Sequence, residues 1–107
     1  MARTLYVLRH RPGPVVASDG NVFEHHGIAD HLAFLRRRRD DGTLVAAGPL
    51  EEGSGEGMTV LAVSSLEEAC RLAETDDSSV ATGVLAVEVQ VWQVAMDDGL
   101  LPDRAGE

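Results

Sequence analysis

The chain has 107 residues, a length that suits one compact domain, and its 44% hydrophobic and 25% charged content is that of a globular protein, not a disordered or membrane one. Eighteen acidic residues against nine basic ones give a formal charge of −9, which argues against nucleic acid or an anionic membrane as partner. A single cysteine, Cys70, excludes an intrachain disulfide and fits a reducing compartment; with no signal peptide and no apolar run of transmembrane length, a cytoplasmic protein is expected.

Residues 4–10, TLYVLRH, are β-branched and apolar and run into RPGP, so they predict a strand. VVASDGN carries turn chemistry. A helical pattern then extends from about Glu24 to Asp41 and stops at Gly42. TLVAAGP (43–49) predicts a second strand ended by Gly48 and Pro49, and LEEGSGEG a Gly-rich acidic turn. MTVLAVS (58–64) predicts a third strand. In SLEEACRLAET, Ser65 and Glu68 form the Ser-x-x-Glu pattern of a capping box, with Leu66, Ala69, Cys70 and Ala73 on the inner face. DDSSVATG is a connection with room for a short helical turn. VLAVEVQVWQVA (84–95) is the last strand, and residues 96–107 form a flexible C-terminal tail outside the domain of residues 1–95.

The order β-α-β-β-α-β predicts an α+β, ferredoxin-like fold: a four-stranded antiparallel sheet with both helices on one face. LVAAG and MTVLAV barely alternate, so both faces of their strands read as buried. Two helices cover one face only. A second copy of the sheet is the simplest cover for the other, which predicts a homodimer. Glu88, Gln90 and Trp92 on one face of the last strand make that second surface partly polar.

Three of the four histidines fall in FEHHGIADHLAFLRRRRDDG. At about 100° per residue, Ile28, Leu32, Leu35 and Arg39 share a stripe, and His31 stands roughly 40° from Leu35 at its edge, where an imidazole can be both held and exposed to a cleft. The same count puts Phe34 near the outer flank. Arg36 to Arg39 read as a solvated basic helix end neutralised in part by Asp40 and Asp41, in preference to an anion site. A metal site built on His26, Asp30 and His31 is disfavoured, since Gly27 weakens the helix and no cysteine stands nearby; no metal is expected. His10, at the end of the first strand, reads as an exposed loop histidine, with a ligand contact as the alternative.

HLAFLRRRRDDGTLVAAGPL, SLEEACRLAETDDSSVATGVL and VEVQVW together resemble the YciI-like (YCII-related) proteins. His31, Gly42, Gly48, Pro49, Asp77, Gly83 and Trp92 fall on the landmarks of that family, and the likeness covers Leu5 to Val94. The resemblance implies a dimeric α/β barrel and an active site built on a His–Asp pair, here His31 and Asp77. The family's Asp-Pro-aromatic is replaced by Asp77-Ser78-Ser79, and Asp76 is an adjacent alternative. Ile28 stands where many relatives carry an arginine suited to a carboxylate, which leaves Arg9 or Arg38 to meet an anionic ligand. His10, Arg9, Arg38, Trp92 and Gly48 are the expected substrate contacts. Three functions remain open: a small cofactor-independent enzyme performing acid–base chemistry of the elimination or isomerisation type on a small organic, cyclic or aromatic, substrate; a non-catalytic dimer that holds a small metabolite or another protein; or, as the weakest reading, a cofactor-free oxygenase with Trp92 and His10 lining its cavity.

Overall fold

The computed structural model describes residues 3–16, 22–51, 53–99 and 101. Strand β1 (Arg3–Pro12) leads through a 3-10 turn (Val22–Glu24) to helix α1 (Ile28–Asp40). Strands β2 (Leu44–Pro49) and β3 (Gly57–Leu61) follow, then helix α2 (Leu66–Arg71), which continues as a π-helical turn (Leu72–Asp76). A single-turn helix α3 (Ser78–Ala81) and strand β4 (Leu85–Val94) complete the fold. The sheet order is β2-β3-β1-β4 and every neighbouring pair is antiparallel, as expected for a ferredoxin-like α+β fold. Part of the predicted loop after β1, Glu52 of the acidic turn, and residues 100 and 102–107 of the predicted tail lie outside the described residues.

Alternation along the strands separates two apolar layers. Tyr6, Leu8 and Leu61 face the helices and pack with Phe34, Ala69, Leu72 and Ala73. Leu5, Val60, Ala62 and Val94 face the other way. Leu101 packs against this second layer, and its carbonyl accepts a 2.7 Å hydrogen bond from the Arg3 guanidinium. Leu101 therefore lies against the sheet, whereas Met96 is 90% exposed. Edge strand β2 is half-buried at Val45 and exposed from Ala46 to Pro49, so the burial of both its faces that its sequence predicts does not occur within one chain.

Local chemistry sets the helix boundaries. The His25 imidazole Nδ1 accepts the Gly27 N–H at 3.0 Å, closing a turn that delays α1 to Ile28 instead of the expected Glu24. At its other end, Gly42 takes φ 83°; its N–H bonds the Arg39 carbonyl and the Thr43 N–H bonds that of Arg38, the paired Schellman closure. Ser65 caps α2 by accepting the Glu68 N–H at 3.1 Å. The reciprocal half of the predicted box is absent: Glu68 accepts instead from the Ser64 hydroxyl at 2.8 Å.

Two inward faces differ from the periodicity count. Phe34 has no exposed surface, whereas Leu32 is 46% exposed. Residues 28–35 are apolar at six of eight positions, so the pattern allows more than one inward face, and burial of the large ring decides between them. In the second helical segment Leu72 is buried and Leu66, its first residue, is 45% exposed; Ala69, Leu72 and Ala73 form the inward face at i, i+3, i+4 spacing. Ala69 and Ala73 face inward as expected, and Cys70 is partly buried. Phe34→Ala is expected to cost about 3–5 kcal/mol in urea unfolding, by lost transfer and cavity formation; Leu32→Ala is expected to cost roughly 1 kcal/mol or less.

Candidate functional site

Asp77 is the residue around which the site is built. The π turn closes with the Asp77 N–H on the Leu72 carbonyl at 3.1 Å, and Asp77 then turns to an extended conformation, φ −84° and ψ 101°. It caps α3: its Oδ1 accepts the Ser79 N–H at 3.1 Å and the Ser79 hydroxyl at 2.6 Å. Both Asp77 and Ser79 are fully buried. Its Oδ2 meets His31 Nδ1 at 2.7 Å, a distance typical of a charge-assisted bond. The carboxylate accepts, so Nδ1 donates, and Nε2 is left as the second functional nitrogen of His31. The pair implied by the family resemblance thus exists in the structure, its members 46 positions apart in sequence.

Asp76 points elsewhere. Its carboxylate accepts from Arg37 at 3.2 Å and stands 3.6 Å from Arg38. The choice between the two aspartates is settled by this geometry: Asp77 inward, Asp76 outward.

His31 sits in the middle of the inward face of α1, not at its edge, with its side chain 13% exposed. Its ring lies 6.1 Å from that of Phe34, nearly parallel, and 4.7 Å from that of His10, edge-on. His10 is the clearest departure from the sequence reading. It is not an exposed loop residue: β1 runs on to Pro12, alternation turns His10 toward the helices, and it is 3% exposed. Its Nε2 lies 3.2 Å from the buried Thr59 hydroxyl on β3, while Nδ1 is buried with no hydrogen-bond partner.

A pocket of about 280 Å³ opens beside these rings. His10 and His31 line it with Ile28, Leu32 and Leu35 of α1. Ala47, Gly48 and Pro49 of β2 and Gly57 and Met58 of β3 form the opposing wall, and Phe23, Gly55 and Leu85 complete it. Gly48 lines the pocket with nothing within 4 Å of where a Cβ would stand, so a side chain there would meet open space.

The other expected contacts lie apart from this pocket. Arg38 stacks over Phe34 at 5.6 Å and pairs with Asp41 at 3.2 Å. Arg9 is exposed and lines a separate depression with Arg11, Glu56 and Glu88, which the His10 backbone strand borders. Trp92 pairs in register with Leu5 on the sheet surface facing away from the helices. Thr59 and Ser79 were not singled out by sequence reasoning. For Ser79 a signal exists, since Asp-x-Ser before a short helical segment is an N-cap pattern. Thr59 gives none, because its partner depends on strand register.

His10, His31 and Asp77 each bring one potential metal-ligand atom within 4.8 Å of one another. Both Asp77 oxygens are already engaged, with Ser79 and His31, while His10 bonds neither of the other two and has its Nε2 beside Thr59. Among the described residues no helix is long and apolar enough to cross a membrane.

Burial lowers the pKa of His10 from 6.5 to about 4; nearby His31 lowers it further and Asp77 opposes. His10 is therefore a neutral imidazole at neutral pH. Between pH 6.5 and 4 the unfolded chain takes up a proton at this position that the folded chain refuses, so stability falls as pH falls through that window. The full effect is about 3 kcal/mol. In chemical denaturation at pH 7.5, 5.5 and 4.5, the wild type is expected to lose more stability than His10→Gln as pH falls; parallel curves would contradict the assignment.

The sequence has no match among curated proteins. The profile of the YCII-related domain matches residues 4–94, from β1 through the last residue of β4 and spanning the His31–Asp77 pair. The chain belongs to the YCII-related domain family.

Proposed function

We propose that the protein is a small, cofactor-independent enzyme that uses His31 and Asp77 for acid–base chemistry of the elimination or isomerisation type on a small organic substrate. The 2.7 Å bond between His31 Nδ1 and a fully buried carboxylate carries this reading. Asp77 fixes the tautomer and stabilises the imidazolium, and Nε2 takes a proton from the substrate and returns it elsewhere. Ser79 supports the arrangement by holding Asp77 through two hydrogen bonds, so the Ser78-Ser79 sequence retains an ordered carboxylate without the family's proline. Neutral His10 gives the ring a second wall without placing another charge beside it. The apolar lining equally suits a binding module that holds a metabolite without turning it over, and the two readings differ in whether His31 moves a proton.

Nitrogen-15 NMR of labelled histidines tests the pair directly. The neutral His31 ring is expected to carry its proton on Nδ1 in the wild type and to shift toward the Nε2–H form in Asp77→Asn; an unchanged tautomer removes Asp77 from its role. For turnover, deuterium incorporation from D₂O into cyclic ketones and related weak carbon acids is the assay. His31→Ala is expected to lower kcat/KM by about 10²- to 10⁴-fold. No exchange across such a set, with ligand binding intact, would favour the binding module.

The protein acts, in this proposal, as a homodimer in the cytoplasm. Leu101 lies on the sheet layer that faces away from the helices, but Val7 and Val45 there are only half-buried and Trp92 is 44% exposed. A domain this small buries only about two-thirds of its unfolded surface and gains stability from a partner. Sedimentation velocity at micromolar concentration is expected to give twice the chain mass of 11.4 kDa, and Trp92→Glu to shift it toward the monomer. A wild-type monomer at all concentrations would refute the dimer.

A further inference from the structure

The lining of the His31 pocket also bears on what can enter it. Among the described residues no lysine, arginine, aspartate or glutamate lines it, and His10 and His31 are the only ionisable ones that do. Of the exposed large hydrophobic residues of the chain, Phe23, Leu32 and Met58 all stand around this one cavity. Two of the arginines that end α1 are engaged elsewhere: Arg37 bonds the Asp76 carbonyl and carboxylate, and Arg38 pairs with Asp41 and Asp76. Any positive charge acquired by His31 is balanced by Asp77 at 2.7 Å. Ile28, one helical turn before His31, adds an aliphatic side chain where a cation would reach the cavity.

We propose that this pocket selects small, uncharged, mainly apolar molecules carrying one hydroxyl or carbonyl group for His31, that it rejects carboxylates and phosphates, and that Ile28 sets this preference. The inference rests on the functional reading for the location of the site, yet the preference holds whether or not His31 moves a proton. A carboxylate entering the cavity loses its water and finds no net positive charge to replace it. A neutral molecule loses little water, buries apolar surface against the aliphatic walls, and needs only one polar partner. At about 280 Å³ the cavity lies just below the usual range for drug-sized ligands, which restricts the occupant to a smaller molecule.

Matched pairs of probes test this at pH 7.5 by NMR titration: benzyl alcohol against benzoate, and cyclohexanone against cyclohexanecarboxylate, with inorganic phosphate alone as a further anion. The neutral member of each pair is expected to shift the amide signals of Ile28, Leu35 and Gly48, with a Kd at least roughly tenfold below that of its carboxylate. In Ile28→Arg the carboxylate is expected to gain about tenfold. Should that variant not fold, the wild-type comparison alone decides. Equal or tighter binding of the carboxylates or phosphate, shifts confined to another surface, or no binding of either neutral probe would overturn the proposal. A preference for carboxylates with the His31 tautomer intact sinks this inference alone; a preference for neutral probes with an unsupported tautomer sinks the catalytic reading alone.

Discussion

A carboxylate with no exposed surface is costly unless every lone pair facing the protein is used, because burial strips its water and the low-dielectric interior does not replace it. Asp77 meets that demand with three bonds, two from Ser79 and one from His31, and much of the local architecture serves to make them. The π turn brings the chain to the required point, the extended conformation of Asp77 reverses its direction, and α3 supplies the N–H and hydroxyl that occupy Oδ1. His31 of α1 then provides the donor for Oδ2. That bond places His31 at the centre of the inward face of its helix, between Phe34 and Ile28, and sets the packing of α1 against α3.

How much of this was legible depended on whether the cause was local. Strands with β-branched runs, the Ser65 cap and the Gly42 stop are consequences of a few adjacent residues, and they occur where the sequence places them, with boundary shifts of a few residues. The inward face of α1 was not legible from angle counting: its apolar residues lie nearly all round, so Phe34 or Leu32 could have been buried, and the sheet opposite decides. The π turn has no sequence signature of its own, yet it leads the chain to Asp77, whose N–H closes it. His10 was misplaced for a related reason. RPGP reads as a strand terminator, but Pro12 is accommodated as the last strand residue, and pairing of His10 with Gly57 and Val87 keeps it inside the sheet. The His31–Asp77 pair itself came from family resemblance, since nothing in 46 residues of separation announces a contact.

The two faces of the sheet follow different economies of burial. Toward the helices, Tyr6, Leu8 and Leu61 reach full or near-full burial within one chain. Away from them, Leu5 and Val60 are covered while Trp92, in register with Leu5, is not. A single leucine from the C-terminal segment can shield one end of a four-stranded sheet but not its breadth. That imbalance, together with the exposed edge strand β2, is the physical basis for proposing a second copy, and it makes Trp92 and Arg9 candidates for an interface instead of the His31 pocket, from which the sheet separates them.

The placement of the arginines completes this logic. Four consecutive arginines close α1 within two turns of His31, and a chain with such a run would ordinarily draw anions toward the neighbouring cavity. The consecutive residues Asp76 and Asp77 divide the task of preventing that. Asp77 turns inward and balances His31; Asp76 turns outward and holds Arg37 and Arg38 against the end of the π turn, with the Phe34 ring beneath the Arg38 guanidinium. One change of backbone direction between adjacent aspartates thus both supplies the buried carboxylate and holds two of the helix's four arginines. A substitution at Asp76 would release Arg37 and Arg38 and alter the electrostatics near the site without touching either member of the His31–Asp77 pair.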